Sequence, residues 1–304
     1  MKQALAGSAV LAVAATAAAA LCLALYPFQT LVAMRRARLA GHGVRSVRAG
    51  GLTAYELDGC AAGAPCRCAA LLHGLGDSAL TWDNTLIGAG GAPVPPKGWR
   101  LLALNLPGTD GSDAPATPAG YAIPAQADAV RAALEGRCPK WTVAGNSLGG
   151  WVAGWLALKW PQGVERLVLV DPAGVDDPTG DAIKTARTLQ DPTVEKMKVF
   201  ADLASHKKRA VPERAWAAVV ASIKSRPAAA MVAALRREDL LDERAKSLRL
   251  PVAVLWGASD RALPRAMGEK LARLIPGASF SLVPDCGHLP QQECPAAVSR
   301  ALFE

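Results

Sequence analysis

Residues 141–150 read Trp141-Thr142-Val143-Ala144-Gly145-Asn146-Ser147-Leu148-Gly149-Gly150. A short apolar run, Trp141 to Ala144, leads straight into Gly145-Asn146-Ser147-Leu148-Gly149. Residues 148–160 then have a helical pattern that Pro161 stops. A strand that turns sharply into a helix holds a serine clear of the sheet, at a helix N-terminus that favours developing negative charge. The turn is tight, so small residues must flank the serine, and Gly145, Gly149 and Gly150 supply them. The pentapeptide alone is a weak signal. Its weight comes from the chain on either side.

Working outward, short apolar runs alternate with helical stretches. Residues 52–57, 69–72, 100–106, 164–170, 252–256 and 279–283 read as further strands. This alternation predicts an α/β fold with a mostly parallel sheet and helices on both faces. Sites in such sheets form at the carboxyl ends of strands. His73-Gly74, Pro107-Gly108, Ser147, Asp260 and His288 each lie just past a predicted strand end. Between residues 173 and 249 the apolar strand runs disappear and helical spacing takes over, as in Trp216, Val219, Val220 and Ile223. We expect a core of residues 51–172 and 250–304, with residues 173–249 inserted as a helical cap.

A serine hydroxyl needs a base to attack at neutral pH. The chain has four histidines, His42, His73, His206 and His288. His288 follows the last predicted strand and is the expected base. Asp260 lies between Ser147 and His288 in chain order and is the expected orienting acid. Asp171, after the preceding strand, is the second candidate acid. An oxyanion needs two backbone N–H donors. Leu148 and, in the loop after His73-Gly74, Leu75 are the expected pair. This chemistry calls for no metal and no organic cofactor.

His73-Gly74-Leu75-Gly76, Leu106-Pro107-Gly108, Gly145 to Gly150, Asp260 and Gly287-His288 together resemble the α/β-hydrolase superfamily, over roughly residues 50–304. His73-Gly74 followed by Trp82, with Asn105-Leu106-Pro107-Gly108 and Asp171-Pro172-Ala173-Gly174, looks like the branch of membrane-anchored monoacylglycerol lipases and meta-cleavage-product C–C hydrolases. Asn105 stands where that branch often has Asp, and the Gly/Pro-rich stretch 88–97 is an insertion. The resemblance implies an α/β-hydrolase fold with a cap and a Ser147-His288-Asp260 triad. The expected reaction is hydrolysis of a lipid or small-molecule ester with an apolar acyl chain through an acyl-enzyme. C–C bond hydrolysis, or binding without catalysis, is the alternative.

The 304-residue chain is 51% hydrophobic and carries a net charge of +8, which fits a folded body with a Lys/Arg-rich surface. No zinc-ligand spacing, aromatic-basic interleaving or recognition helix points to nucleic acid. From Ala4 to Tyr26 only Ser8 and Thr16 are polar. That run is long enough to cross a bilayer and longer than a signal-peptide core. We therefore expect an uncleaved signal-anchor over residues 1–28 and a juxtamembrane linker over 29–50. A cleaved segment and a secreted body are the second reading. Arg35, Arg36 and Arg38 favour a cytoplasmic body. Cys60, Cys66, Cys68, Cys138, Cys286 and Cys294 are an even, partly clustered set that suits an oxidising compartment. The expectation is a periplasmic or extracytoplasmic body anchored to a membrane.

Overall fold

The computed structural model describes residues 27–208 and 211–304. Helix α1 (Pro27–Gly41) leads into β1 (Arg45–Ala49), β2 (Leu52–Asp58) and β3 (Arg67–Leu72). A 3-10 turn and α2 (Asp83–Ile87) precede β4 (Trp99–Leu104), and α3 (Ile123–Leu134) precedes β5 (Trp141–Asn146). Helix α4 (Leu148–Lys159) and β6 (Val164–Val170) follow. The next helices are α5 (Asp181–Gln190), α6 (Val194–Ala204), α7 (Glu213–Lys224) and α8 (Ala228–Ala233). The chain closes with β7 (Val252–Gly257), α9 (Arg265–Leu274), β8 (Ser279–Val283), α10 (Pro290–Glu293) and α11 (Pro295–Phe303).

The eight strands form one sheet in the order β1-β2-β4-β3-β5-β6-β7-β8. Only the β1–β2 and β2–β4 pairings are antiparallel. The inner strands are continuous apolar runs, and every residue of β5 is buried. Such strands need cover on both faces, which the helices supply. Ile123, Val130, Val152, Leu156, Met267 and Leu271, from α3, α4 and α9, pack with Leu72, Val143 and Val254 on one face. Leu39, Leu86, Val298 and Leu302, from α1, α2 and α11, pack with Leu71, Leu101 and Val168 on the other. Strand order reverses between β3 and β5, so the chain leaves a crevice at their carboxyl ends. His73 and Ser147 stand there.

The stretch expected to be a linker, residues 29–50, is part of the fold. Leu39 and Val44 are buried, and β1 pairs with β2 from Arg45↔Glu56 to Ala49↔Leu52. Arg35 on α1 donates to the Asp83 carboxylate at 2.7 Å and to the Leu80 carbonyl. Burial raises the Asp83 carboxyl, but the Arg35 hydrogen bond and charge outweigh it and hold the group below its ordinary range. The stretch has a linker's composition because β1 is an edge strand, with Arg45, Ser46 and Arg48 turned to water. The apolar run expected to be a signal-anchor falls mostly on residues 1–26, outside the described residues. Among the described residues no helix is long and apolar enough to cross a membrane.

Between β6 and β7 the described residues form helices and 3-10 turns and no strand. The Asp239 carbonyl accepts both the Trp151 and Trp155 indole N–H groups of α4, at 2.7 and 2.6 Å, tying the end of this helical segment to the body. Lysines on it contribute to a mixed-charge surface: Lys184 pairs with Asp181, Lys196 with Asp191, Lys198 with Glu213 and Lys208 with Asp202.

Three disulfides join Cys60–Cys66, Cys68–Cys138 and Cys286–Cys294. The Cys68–Cys138 bridge closes a loop of 70 residues between β3 and the entrance to β5. Chain-entropy reasoning gives such a cross-link about 4 kcal/mol. The double variant Cys68→Ala/Cys138→Ala should therefore melt roughly 10 °C lower. Calorimetry checks this, and an unchanged midpoint would show that the bridge constrains nothing.

Candidate active site

Ser147 sits between β5 and α4 with φ 55° and ψ −121°. A positive φ is strained for a residue with a Cβ and persists only where the surroundings enforce it. The Ser147 N–H donates to the Val170 carbonyl, and the Ser147 carbonyl accepts the Gly150 and Ala173 N–H groups, each at 3.0 Å. The flanking glycines are required by packing. A Cβ on Gly145 would collide with the Gly149 carbonyl, and one on Gly149 would meet the His73 and Leu72 carbonyls. The structure thus supplies the reason for the Gly-x-Ser-x-Gly spacing: the turn, the helix start and the end of β3 touch through backbone.

His288 lies after β8 and is 3% exposed. Its Nδ1 is 2.7 Å from Asp260 Oδ2, and the Asp260 carboxyl is buried. The other oxygen of Asp260, Oδ1, accepts the Ala262 and Leu263 N–H groups at 2.7 and 3.1 Å. Asp171 also reaches this place from the end of β6 and is fully buried. Its Oδ1 accepts the Gly257 N–H at 2.8 Å. Burial first, and the neighbouring Asp260 charge second, push the Asp171 carboxyl well above the usual carboxylate range. Both candidate acids therefore converge on His288, but the ring bonds to Asp260.

Leu75 and Leu148 line the same cavity as Ser147 and His288. Among the described residues, neither the Leu75 nor the Leu148 N–H has an acceptor. The loop that carries Leu75 is set by His73, which is buried and neutral, its basicity lowered chiefly by burial. The Leu106 N–H donates to His73 Nε2 at 3.0 Å, so Nδ1 carries the proton and donates to the Gly74 carbonyl at 2.8 Å. Ser147 Oγ makes no hydrogen bond to the His288 ring among the described residues. Both groups open onto one cavity of about 560 Å³. Its walls are mainly apolar and include Leu148, Trp151, Ile183, Leu189, Ile223 and Met267, drawn from α4, α5, α7 and α9.

Several residues that hold the site were invisible to motif reading. Asn146, fully buried, donates to the Val170 and His288 carbonyls at 3.1 and 3.0 Å, joining the serine turn to the histidine loop. The His288 N–H donates to the Ala204 carbonyl at the end of α6, and Glu293 accepts the Gly287 and His206 N–H groups. Arg226, just beyond α7, donates to the Gly76 carbonyl at 2.9 Å and to the Asp110 carboxylate. It braces the Leu75 loop from the helical segment. Asn105 supports the same loop, its side chain accepting the Ala79 N–H and donating to Thr53 Oγ1. Asn105 and Asn146 stood inside quoted motifs without their partners being readable, and the Cys286–Cys294 bridge, which also closes around His288, showed in the sequence only as two cysteines flanking the candidate base.

Among the described residues two groups could offer ligand atoms to a metal: Cys66, Cys68 and Cys138, and Asp171, Asp260 and His288. The first three sulfurs are in disulfides. The second group already satisfies the His288 ring through Asp260.

A model of the alpha/beta hydrolase family matches residues 70–301. The chain belongs to this family. This alpha/beta hydrolase is 32% identical over 240 residues to the pimeloyl-[acyl-carrier protein] methyl ester esterase of Aromatoleum aromaticum, covering 72% of this chain and 90% of the relative. It is 28% identical over 248 residues to the 2-hydroxy-6-oxononadienedioate/2-hydroxy-6-oxononatrienedioate hydrolase of Klebsiella pneumoniae, covering 73% and 81%. Among solved structures, a membrane phospholipase A described as a bacterial virulence factor superposes with a TM-score of 0.72 at 25% identity, covering 99% of this hydrolase and 96% of that chain. Its relatives thus include both ester and C–C bond hydrolases.

Proposed function

We propose that the protein hydrolyses carboxylic esters with apolar acyl chains. The observation that carries this reading is the mainly apolar cavity onto which Ser147 and His288 both open. Ser147 Oγ attacks the ester carbonyl while His288 Nε2 takes its proton. The Leu75 and Leu148 N–H groups hold the oxyanion. Asp260 keeps the Nδ1–H tautomer and stabilises the imidazolium. His288 then protonates the leaving alcohol, an acyl-enzyme remains on Ser147, and water activated by the same ring releases the acid. The Ser–His contact tightens as substrate binds, as is common for catalytic hydrogen bonds in unliganded sites.

The C–C bond reading uses the same residues, and the Klebsiella relative acts on a compound with two carboxylates by its name. A doubly anionic substrate calls for cations deep in the site. Here the cavity's arginines are Arg236 and Arg237, which stand at its exposed edge beside Glu238 and Asp176. That favours the ester. The three disulfides favour a body outside the cytoplasm, and the apolar run from Ala4 to Tyr26, read as an anchor from its sequence, would set the site near lipid-derived esters.

A p-nitrophenyl ester series on the full-length protein in detergent, with monoacylglycerol and a dienone substrate alongside, tests the proposal. We expect kcat/KM to rise about fourfold per added methylene until the cavity is filled. Turnover confined to the dienone, or no turnover of any ester, would overturn it.

A further inference from the structure

Asp171 is a buried carboxyl group that the proposed reaction does not use. It directly follows β6, with φ 42°, and is fully buried. Its Oδ1 is satisfied by the Gly257 N–H. Its Oδ2 is buried and has no donor among the described residues. One oxygen of Asp171, one of Asp260 and a ring nitrogen of His288 lie within 4.8 Å of one another. The Asp260 side chain has no proton to offer, since both its oxygens accept, from Ala262, Leu263 and His288, and its backbone N–H is taken by the Gly257 carbonyl.

The surrounding charges do not neutralise the pair. Arg261, next to Asp260, reaches out to Asp202 on α6. Lys270 on α9 pairs with Asp242. On the histidine loop Asp285 is exposed, and Glu293 accepts backbone N–H groups. His206, beyond α6, is 2.8 Å from Ser259 Oγ through Nδ1, and its Nε2 lies 3.7 Å from Asp285. Among the described residues no lysine or arginine faces the two carboxyls. Adjacent buried carboxyls without a cation cannot both ionise. An ionised Asp171 leaves Oδ2 charged and without a donor. A protonated Asp171 turns that oxygen into a donor with Asp260 as its acceptor.

We propose that Asp171 is a neutral carboxylic acid whose O–H donates to the Asp260 carboxylate, making it a positioning residue for the His288–Asp260 pair. It does not line the cavity and acts only through Asp260. The bond holds the carboxylate toward Nδ1 and leaves one negative charge, not two, behind the imidazole. The imidazole therefore faces a single carboxylate charge across its Nδ1 contact with Asp260. Burial and the Asp260 charge both push the Asp171 carboxyl upward, in the same sense.

This inference rests on His288 being the general base, so its test includes readouts that need no ester. In the full-length protein, the His288 ring is titrated by NMR, and carboxylic-acid carbonyl stretches are recorded by infrared spectroscopy at neutral pH. Wild type is compared with Asp171→Asn and Asp171→Leu, and fluorophosphonate labelling and ester hydrolysis are followed against pH. Asparagine reproduces the protonated acid: its amide oxygen accepts from Gly257 and its NH₂ donates to Asp260. We expect Asp171→Asn to keep the His288 midpoint and the acidic limb of the rate profile, and to lose one carboxylic-acid band. Asp171→Leu, with no donor, should raise the midpoint by roughly half to one unit and slow labelling about tenfold. A midpoint that falls in Asp171→Asn, or no band to lose, would mean an ionised Asp171 and overturn the proposal. An unchanged midpoint in a folded Asp171→Leu would also overturn it. If Asp171→Leu does not fold, the asparagine variant decides alone. Expected NMR and infrared results without ester turnover would reject the ester reading and leave this one standing.

Discussion

Ser147→Ala should abolish labelling by a fluorophosphonate and lower ester hydrolysis by roughly 10⁶-fold. The substitution removes one oxygen from a side chain whose backbone, at φ 55°, is held by Val170, Gly150 and Ala173. The turn therefore survives the change, and circular dichroism and the melting temperature should be close to wild type. Binding should survive too, because the apolar walls and the Leu75 and Leu148 N–H groups are untouched. Residual hydrolysis of about 10³–10⁴ over water is expected from those donors and the bound geometry. Labelling that persists in the folded variant would mean that the nucleophile lies elsewhere.

His288→Ala should cost about as much, and the double variant Ser147→Ala/His288→Ala should be no slower than either single one. A nucleophile and its base act as one unit, so removing either removes the same step. This variant should also lose stability, unlike Ser147→Ala. The ring is buried, and its removal leaves the Asp260 carboxylate in a dry place with one hydrogen bond fewer. Single-turnover rates and thermal melts on the three variants separate the two effects. Losses that multiply in the double variant would show that Ser147 and His288 do not cooperate, and the proposed mechanism would fall.

The sheet was legible because its inner strands are buried on both faces. Residues of β3, β5, β6 and β7 have few polar choices, and their apolar runs stand out against the helices. Edge strand β1 gave no such signal. Its arginines face water, so a strand and a docked helix had the composition of a basic linker. The candidate site was legible where chemistry restricts residue type at a strand end: Ser147 between close-packed glycines, Asp260 and His288. The struts were not legible. Asn146 and Arg226 act through backbone groups far away in the chain, and Glu293 ties the nearby Gly287 N–H to the distant His206 N–H; nothing in their own neighbourhoods announces the distant partners.

By itself, the sequence determined a parallel α/β sheet, its alpha/beta hydrolase character and the serine turn, because local rules govern each: period of burial, strand-end placement, and glycine where backbones touch. The tertiary structure alone decided how the two candidate acids share their place. Asp171 and Asp260 lie just past the ends of neighbouring strands, so chain order ranks them only by convention. Folding brings both to His288, gives the ring to Asp260 and buries Asp171 behind it with Oδ2 lacking a donor among the described residues. The tertiary structure also decided the cavity, since its walls come from helices on both sides of β7 whose apolar faces meet only in the folded chain.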